Sequence, residues 1–240
     1  MATLTEIAPE VFRMSCFNTQ GNFQFNSFLI RDQQPTLVHT NLRANFKDLR
    51  ETVAKVVDPA KLRWIWFSHF EPDECGALND WLGIAPEATP VCSFVAARVA
   101  MGDFSAKPAK VLGNETLNTG KRTLRVINTP HVPHGWDASM LFEEADKTMF
   151  VSDLFGHGGD VEPIISGDVV GRAEKYTIAG QAGPMAHSVP YTARTPKIIA
   201  ELAALKPKTL AAMHGSSYAG DGAKALTDLD AMWQRTIAKA

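Results

Sequence analysis

Four apolar segments of this chain each stop at a side chain able to bind a metal ion. RWIWFS (63–68) runs into His69-Phe70-Glu71-Pro72-Asp73-Glu74, and TLRVIN (123–128) into a loop carrying His131 and His134. TMFVS ends at Asp153, and TLAAM ends at His214-Gly215. Short apolar runs rich in β-branched and aromatic residues read as buried strands. Loops that follow strands on a rigid sheet are where sites are built. These side chains run from His69 to His214, so segments across that span must meet at one place. Two independent domains are therefore not expected, although 240 residues would allow them.

Composition removes several classes of function. With 45% hydrophobic and 21% charged residues the chain is too apolar to stay disordered. No run approaches the roughly 18 apolar residues of a membrane helix. The opening MATLTEIAPE lacks the basic and apolar regions of a secretory signal. Lys+Arg (24) nearly balances Asp+Glu (26), so no global field draws the protein to nucleic acid or anionic lipid. Cys16, Cys75 and Cys92 are an odd, sparse set without a CxxC spacing. That argues against a disulfide framework and a zinc ribbon, and for a reduced, cytoplasmic setting with buried thiols.

The remaining segments alternate strands and helices. FNSFLIRD (25–32) and TLVHTN (36–41) form a predicted hairpin around a DQQP turn. Helices are predicted over 46–57, 75–83, 92–101, 194–205 and 225–240. The Gly-rich stretch 155–171 lacks a period and reads as a long loop, a common form for a lid. The expected class is α/β, with layered sheets covered by helices; topology stays open.

The richest cluster is His69, Glu71 and Asp73. In extended chain alternate residues share a face, so these three converge, and Pro72 is expected to keep the segment out of a helix. Burying three ionisable groups unpaired is costly, and a metal ion removes that cost. His69, His134 and His214 supply imidazoles; Glu71, Asp73 and Asp153 supply carboxylates. Six ligands exceed one tetrahedral zinc but suit two ions with open positions. Carboxylates and imidazoles without thiolate suit iron or manganese at least as well as zinc. Asp153, with two oxygens to share, is the natural bridge.

The motif His-x-Glu-x-Asp at 69–73, with His134, Asp153 and His214-Gly215, resembles the metallo-β-lactamase superfamily. Within it the pattern resembles the di-iron branch of flavodiiron proteins and stand-alone oxygen-binding di-iron proteins. Zinc hydrolases of the superfamily carry His where Glu71 stands. Asn26-Ser27-Phe28-Leu29-Ile30, Leu37-Val38-His39-Thr40 and Met213-His214-Gly215 are further matches. The resemblance covers nearly the whole chain. It implies a single-domain αββα sandwich over 1–240, with His69, Glu71 and His134 on one iron, Asp73 and His214 on the other, and Asp153 bridging. Zinc or manganese are the alternative metals.

There are departures. The family often has His after the Asp, where this chain has Glu74. Glu74 can ligate the second iron, leave a water there or point away, and alternation along an extended segment favours the last two. His39 replaces the family's Asp in the first hairpin. His131 competes with His134, but the following Trp136-Asp137 and Ser139-Met140 favour His134. His157 and His187 are expected to be solvated loop histidines, and Cys75 a buried structural thiol. Phe70, Trp136 and Phe155 neighbour ligands, either as an apolar shell or as core packing.

The resemblance implies binding or reduction of O₂ or NO. In flavodiiron proteins electrons arrive through FMN on a following flavodoxin-like domain. Here the chain stops at its last helix, so no such domain and no flavin bound by this chain are expected. A separate flavin- or rubredoxin-type donor would supply electrons. Alternatively the protein would sense O₂ and signal to a partner through the 155–171 loop. A hydrolase acting on an ester, lactone or thioester is the other reading, against which the missing second His counts. A homodimer is left open.

Overall fold

Alternation along the strands decides the layering. In β3 (Phe23–Ile30), Leu29 faces one way and Phe28 and Ile30 the other; in β5 (Trp64–Trp66), Ile65 opposes Trp64 and Trp66. All six are buried, so both faces of the sheet are covered and the segments read as continuous apolar runs. The structure, a computed structural model, describes residues 1–238.

Among the described residues two seven-stranded sheets form. The first takes β1 (Thr3–Ala8), β2 (Val11–Asn18), β3, β4 (Thr36–Val38), β5, β6 (Thr89–Cys92) and β7 (Lys110–Val111) in chain order. It is antiparallel from β1 to β4 and parallel from β4 to β7. Its outer face carries α1 (Phe46–Val53), the single turn α2 (Pro72–Cys75) and α3 (Leu78–Ile84). A further helical stretch comprises α4 (Phe94–Ala96), a wide turn over 97–101 and α5 (Gly102–Phe104). The second sheet contains β8 (Thr116–Asn118), β9 (Thr123–Asn128), β10 (Ser139–Glu143), β11 (Thr148–Ser152), β12 (Ile164–Ile165), β13 (Thr209–Ala212) and β14 (Ser217–Ala219). Their spatial order is β12-β14-β13-β11-β10-β9-β8. Outside it lie α6 (Val169–Gln181), α7 (Thr195–Ala204) and α8 (Gly222–Thr236).

Three apolar layers hold this together. Leu29, Leu37 and Ile65 pack on Leu49, Leu78 and Trp81 beneath the first helices. Met149, Val151 and Leu210 pack on Ile199, Leu202 and Leu226 beneath the second. Phe28, Val38 and Trp66 meet Val126, Leu141 and Phe150 between the sheets. Each large buried side chain contributes about 1.5–3 kcal/mol of transfer free energy. The expected αββα sandwich is therefore the observed architecture. Among the described residues no helix is long and apolar enough to cross a membrane.

Several boundaries differ from the sequence reading. The expected hairpin is present as β3–β4, with Ile30 opposite Thr36. The helix expected from residue 92 starts after Ser93, because Cys92 closes β6 and the Ser93 Oγ caps the Ala96 N–H at 3.1 Å. α6 begins at Val169, inside the stretch expected to be loop up to residue 171; the Asp168 side chain caps the Gly171 N–H at 2.7 Å. The last expected helix is α8. It starts earlier, at Gly222, and ends at Thr236; positions 239–240 of that expectation lie outside the described residues.

Candidate metal centre

The sheets bring four chain segments to one edge. β11 and β13 are parallel, so Asp153 and His214 leave the sheet at the same end, tied by the Met213 N–H donating to the Ser152 carbonyl (2.8 Å). The other sheet joins them there. Asn26 donates its backbone N–H to the Met213 carbonyl (2.9 Å) and its amide to the Ala212 and Gly215 carbonyls (both 2.9 Å). The Ser139 N–H donates to the Ser68 carbonyl (2.9 Å), joining the end of β5 to the start of β10. Asp137 accepts from the Phe70 N–H (2.9 Å), which fixes the His69 segment against the His134 loop.

Seven side chains converge there. His69 Nε2 and His134 Nε2 stand 2.9 Å apart. Glu71 places Oε2 3.5 Å from His69 Nε2 and Oε1 3.5 Å from His134 Nε2. Asp153 Oδ2 lies 3.6 Å from His69 Nε2 and 3.4 Å from His134 Nε2. The other oxygen, Asp153 Oδ1, faces His214 Nε2 at 3.2 Å, and Asp73 Oδ2 lies 3.3 Å from that nitrogen. Ligands about 2.1 Å from a common ion stand roughly 3.0 Å apart at right angles and roughly 3.4 Å apart in a tetrahedron. The donor separations match that spacing on both sides of Asp153. Both Asp153 oxygens and Glu74 Oε2 are buried without a hydrogen-bond partner among the described residues. A native interior pairs such acceptors, and a cation is the partner this donor set fits.

The imidazoles are aimed from behind. His214 Nδ1 donates to the Gln24 carbonyl (3.0 Å), which turns Nε2 into the site. His69 Nδ1 is hydrogen-bonded to Ser68 Oγ (2.8 Å), which also contacts Ser152 Oγ (2.8 Å). Such outer partners commonly orient metal-binding histidines. Ser68, Ser152 and Gln24 were not singled out in the sequence. The adjacency of Ser68 to His69 and Ser152 to Asp153 was the available signal.

Charges sort as the geometry requires. His134 and His69 pull the Glu71 carboxyl down to about 2. Burial opposes ionisation of Asp153, but His214, His69 and His134 hold it well below the usual carboxylate range. Burial likewise disfavours charge on His214, yet Asp153 and Asp73 raise it to about 10. Burial above all, then the charges on Asp153, Asp73 and Glu71, push the Glu74 carboxyl well upward.

The structure brings together His69, Glu71, Asp73, His134, Asp153 and His214, and it corrects the reading of Glu74. Pro72 does not exclude a helix; it opens α2 at a first-turn position, where its missing N–H costs nothing. Asp73 and Glu74 therefore follow helical geometry rather than strand alternation. Glu74 turns inward, fully buried, with Oε2 3.8 Å from His69 Nε2. His131 is exposed and stands outside the cluster, as does exposed His187. His157 is not solvated. It is buried, bonded through Nδ1 to the Phe155 carbonyl (2.9 Å), and accepts the Ser216 N–H at Nε2 (3.1 Å). His39 is fully buried behind the site, stacked on Trp66, and burial pulls it down to about 3, so it is neutral. Cys75 is a buried thiol, pushed up to about 12 by burial. Phe155 is core, whereas Phe70 and Trp136 are exposed at the rim.

A cavity of about 480 Å³ opens onto Asp153 and His214. Its walls are mainly apolar, including Phe23, Phe155, Tyr176, Val189 and Trp233. Phe23 covers His214 at 4.3 Å between ring centroids and stacks on Tyr176 at 5.4 Å.

Two helix-covered sheets with histidines and carboxylates at one edge define a metallo-β-lactamase-type protein. Residues 23–215 match the profile described as ODP family beta lactamase, and the chain belongs to that family. A putative diflavin flavoprotein A 1 from Thermosynechococcus vestitus is 32% identical over 167 residues, 63% of this chain and 29% of that protein. Rubredoxin-oxygen oxidoreductase from Megalodesulfovibrio gigas is 31% identical over 137 residues, 55% of this chain and 33% of that protein. The chain thus spans about a third or less of those relatives' length. The metal-soaked flavodiiron core from Synechocystis superposes with a TM-score of 0.81 at 22% identity, covering 100% of this chain and 62% of that one. That likeness supports the fold.

Proposed function

We propose that this chain holds two iron ions and binds or reduces O₂, or NO, at that centre. His69, Glu71 and His134 hold one ion, Asp73 and His214 the other, and Asp153 bridges. The observation that carries the reading is Asp153, whose two unpartnered oxygens face two separate imidazole-carboxylate groups. Family membership, and relatives described as a diflavin flavoprotein and a rubredoxin-oxygen oxidoreductase, support iron over zinc. So does Glu71, a hard oxygen donor where zinc hydrolases of the superfamily use imidazole.

Bound iron would supply electrons to the diatomic molecule. This chain's own residues do the rest. Gln24 and Ser68 hold His214 and His69 in the tautomers that present Nε2. Phe23, Phe155 and Trp233 line an apolar approach that favours an apolar gas over water. The sandwich uses the described residues from β1 to α8, so we assign the electron supply to a flavin- or rubredoxin-type donor outside them. Three free, buried cysteines support a cytoplasmic setting.

The test is anaerobic loading with ferrous iron, metal analysis and an optical spectrum before and after O₂. Two irons per chain and a new absorption band are expected. Tightly held zinc, exclusion of iron and no response to O₂ would refute the proposal. With an artificial reductant, sustained O₂ consumption identifies an enzyme, whereas a single stoichiometric binding event identifies a sensor.

A further inference from the structure

Arg13 is a buried cation outside the donor set. On β2 it shares a face with Val11, which packs between the sheets, and its side chain is almost wholly buried. Nη2 donates to Gln24 Oε1 (2.8 Å) and to the Gly215 carbonyl (2.9 Å), while Nε is buried without a partner among the described residues. Asp160 is reached only through Gln24, whose amide donates to Asp160 Oδ1 (2.9 Å). Burial pulls Arg13 down to about 10, although Asp160 acts the other way, so it stays charged at neutral pH. Both groups that it holds bear on His214. Gly215 follows that ligand in the chain, and the Gln24 backbone carbonyl accepts from His214 Nδ1 (3.0 Å).

We propose that Arg13 is a positioning residue for His214, and that its buried positive charge favours the ferrous state of the ion His214 holds. This deepens the di-iron reading and rests on it. One guanidinium clamps both the turn after His214 and the residue that aims its ring. A neutral amide would make hydrogen bonds of this kind without the cost of burying a charge. The charge adds an electrostatic bias. One-electron oxidation of Fe²⁺ to Fe³⁺ adds positive charge beside His214 Nε2, and a fixed cation on the Nδ1 side of the ring opposes it. The interior screens such an interaction far less than water does, and salt weakens it little. Asp160, held off by the Gln24 amide, does not pair with the guanidinium directly.

The test uses the full chain with Arg13→Met, which keeps the bulk but loses donors and charge, and Arg13→Lys, which keeps the charge. The first readout needs no iron. In isotope-labelled, zinc-loaded protein, NMR follows exchange of the His214 Nδ1 proton with solvent. Exchange should be roughly tenfold faster in Arg13→Met than in wild type. The second readout is the potential of the iron-loaded protein, titrated anaerobically with dithionite and ferricyanide. Arg13→Met should shift one couple about tenfold toward ferric, about 59 mV for one electron, and Arg13→Lys should return it to the wild-type value. If Arg13→Met does not fold, Arg13→Gln takes its place in both readouts. Unchanged exchange would overturn the positioning role. A potential left unchanged in Arg13→Met, or lowered equally in Arg13→Lys, would overturn the role of the charge; both results leave the di-iron reading standing. A wild-type chain that binds Zn²⁺ but takes up no Fe²⁺ would overturn the di-iron reading and the charge effect, while proton exchange still decides whether Arg13 positions His214.

Discussion

Gly215, directly after His214, sits in the left-handed region at φ +81°. A Cβ built there would stand 2.6 Å from Cε1 and Nε2 of His157 and 2.7 Å from its Nδ1. The ring cannot easily yield. It is buried, its Nδ1 donates to the Phe155 carbonyl, and its Nε2 accepts the Ser216 N–H. Gly215→Ala therefore carries two costs. Left-handed backbone costs an L-residue roughly 1–2 kcal/mol. Displacing His157 breaks two hydrogen bonds at about 1 kcal/mol each. Together the substitution should destabilise the protein by about 3 kcal/mol. Urea denaturation of chelator-treated protein measures this without a contribution from bound metal. The decisive comparison is the cycle with His157→Ala, which removes the obstructing ring. In that background Gly215→Ala should cost only the backbone share, about 1 kcal/mol, a coupling of about 2 kcal/mol. If the two single costs simply add, the clash does not exist and His157 is no brace for the His214 turn.

Asp153→Asn should weaken two-ion binding roughly 100-fold or more, since an amide offers one oxygen where the bridge needs two; competition titration reads it, and retained two-ion affinity would refute the bridge. The metal-free protein should lose stability toward both acid and alkaline pH without a plateau between, because buried His39, lowered to about 3, stabilises fully only above 6.5 and buried Glu74, pushed upward, stabilises fully only below 4.5. His214, raised to about 10 from 6.5, stabilises fully below 6.5 and loses that contribution as pH rises toward 10. Glu71, lowered to about 2 from 4.5, stabilises above 4.5 and loses its contribution as pH falls toward 2, a small share because it is half exposed. Urea midpoints across that range check both limbs, and a flat profile would mean the imidazole–carboxylate pairs are absent.

What the sequence made legible follows from which groups solvent and packing leave no choice. Ile65 between Trp64 and Trp66, or Phe150 between Met149 and Val151, needs apolar neighbours on both faces, so two covered sheets could be read from the runs alone. The strand-end ligands could be read for the converse reason: ionisable residues placed directly after such runs enter a region too dry to hold them unpaired. Several missed elements lack that compulsion, although β2, also unassigned from the sequence, buries Val11, Met14 and Cys16. α6 buries only Val169 and Ala173 along its length, so its pattern carries little helical period. β7 and β12 are two residues each. The placement of Glu74 is not legible from alternation because Pro72, a breaker inside a helix, is a helix starter at the first position of a turn. That local difference decides which side chains reach the cluster. On an extended segment Asp73 and Glu74 would point apart; in α2 both reach the cluster, and the carboxylates facing three imidazoles become four. Four carboxylates at one edge, Glu74 fully buried and Glu71 half exposed, repel one another, and burial pushes Glu74 upward. On the proposed two-ion reading, divalent cations at this edge would relieve that repulsion. Part of the affinity expected for two ions is relief of this repulsion, which the facing imidazoles only partly offset in the metal-free protein.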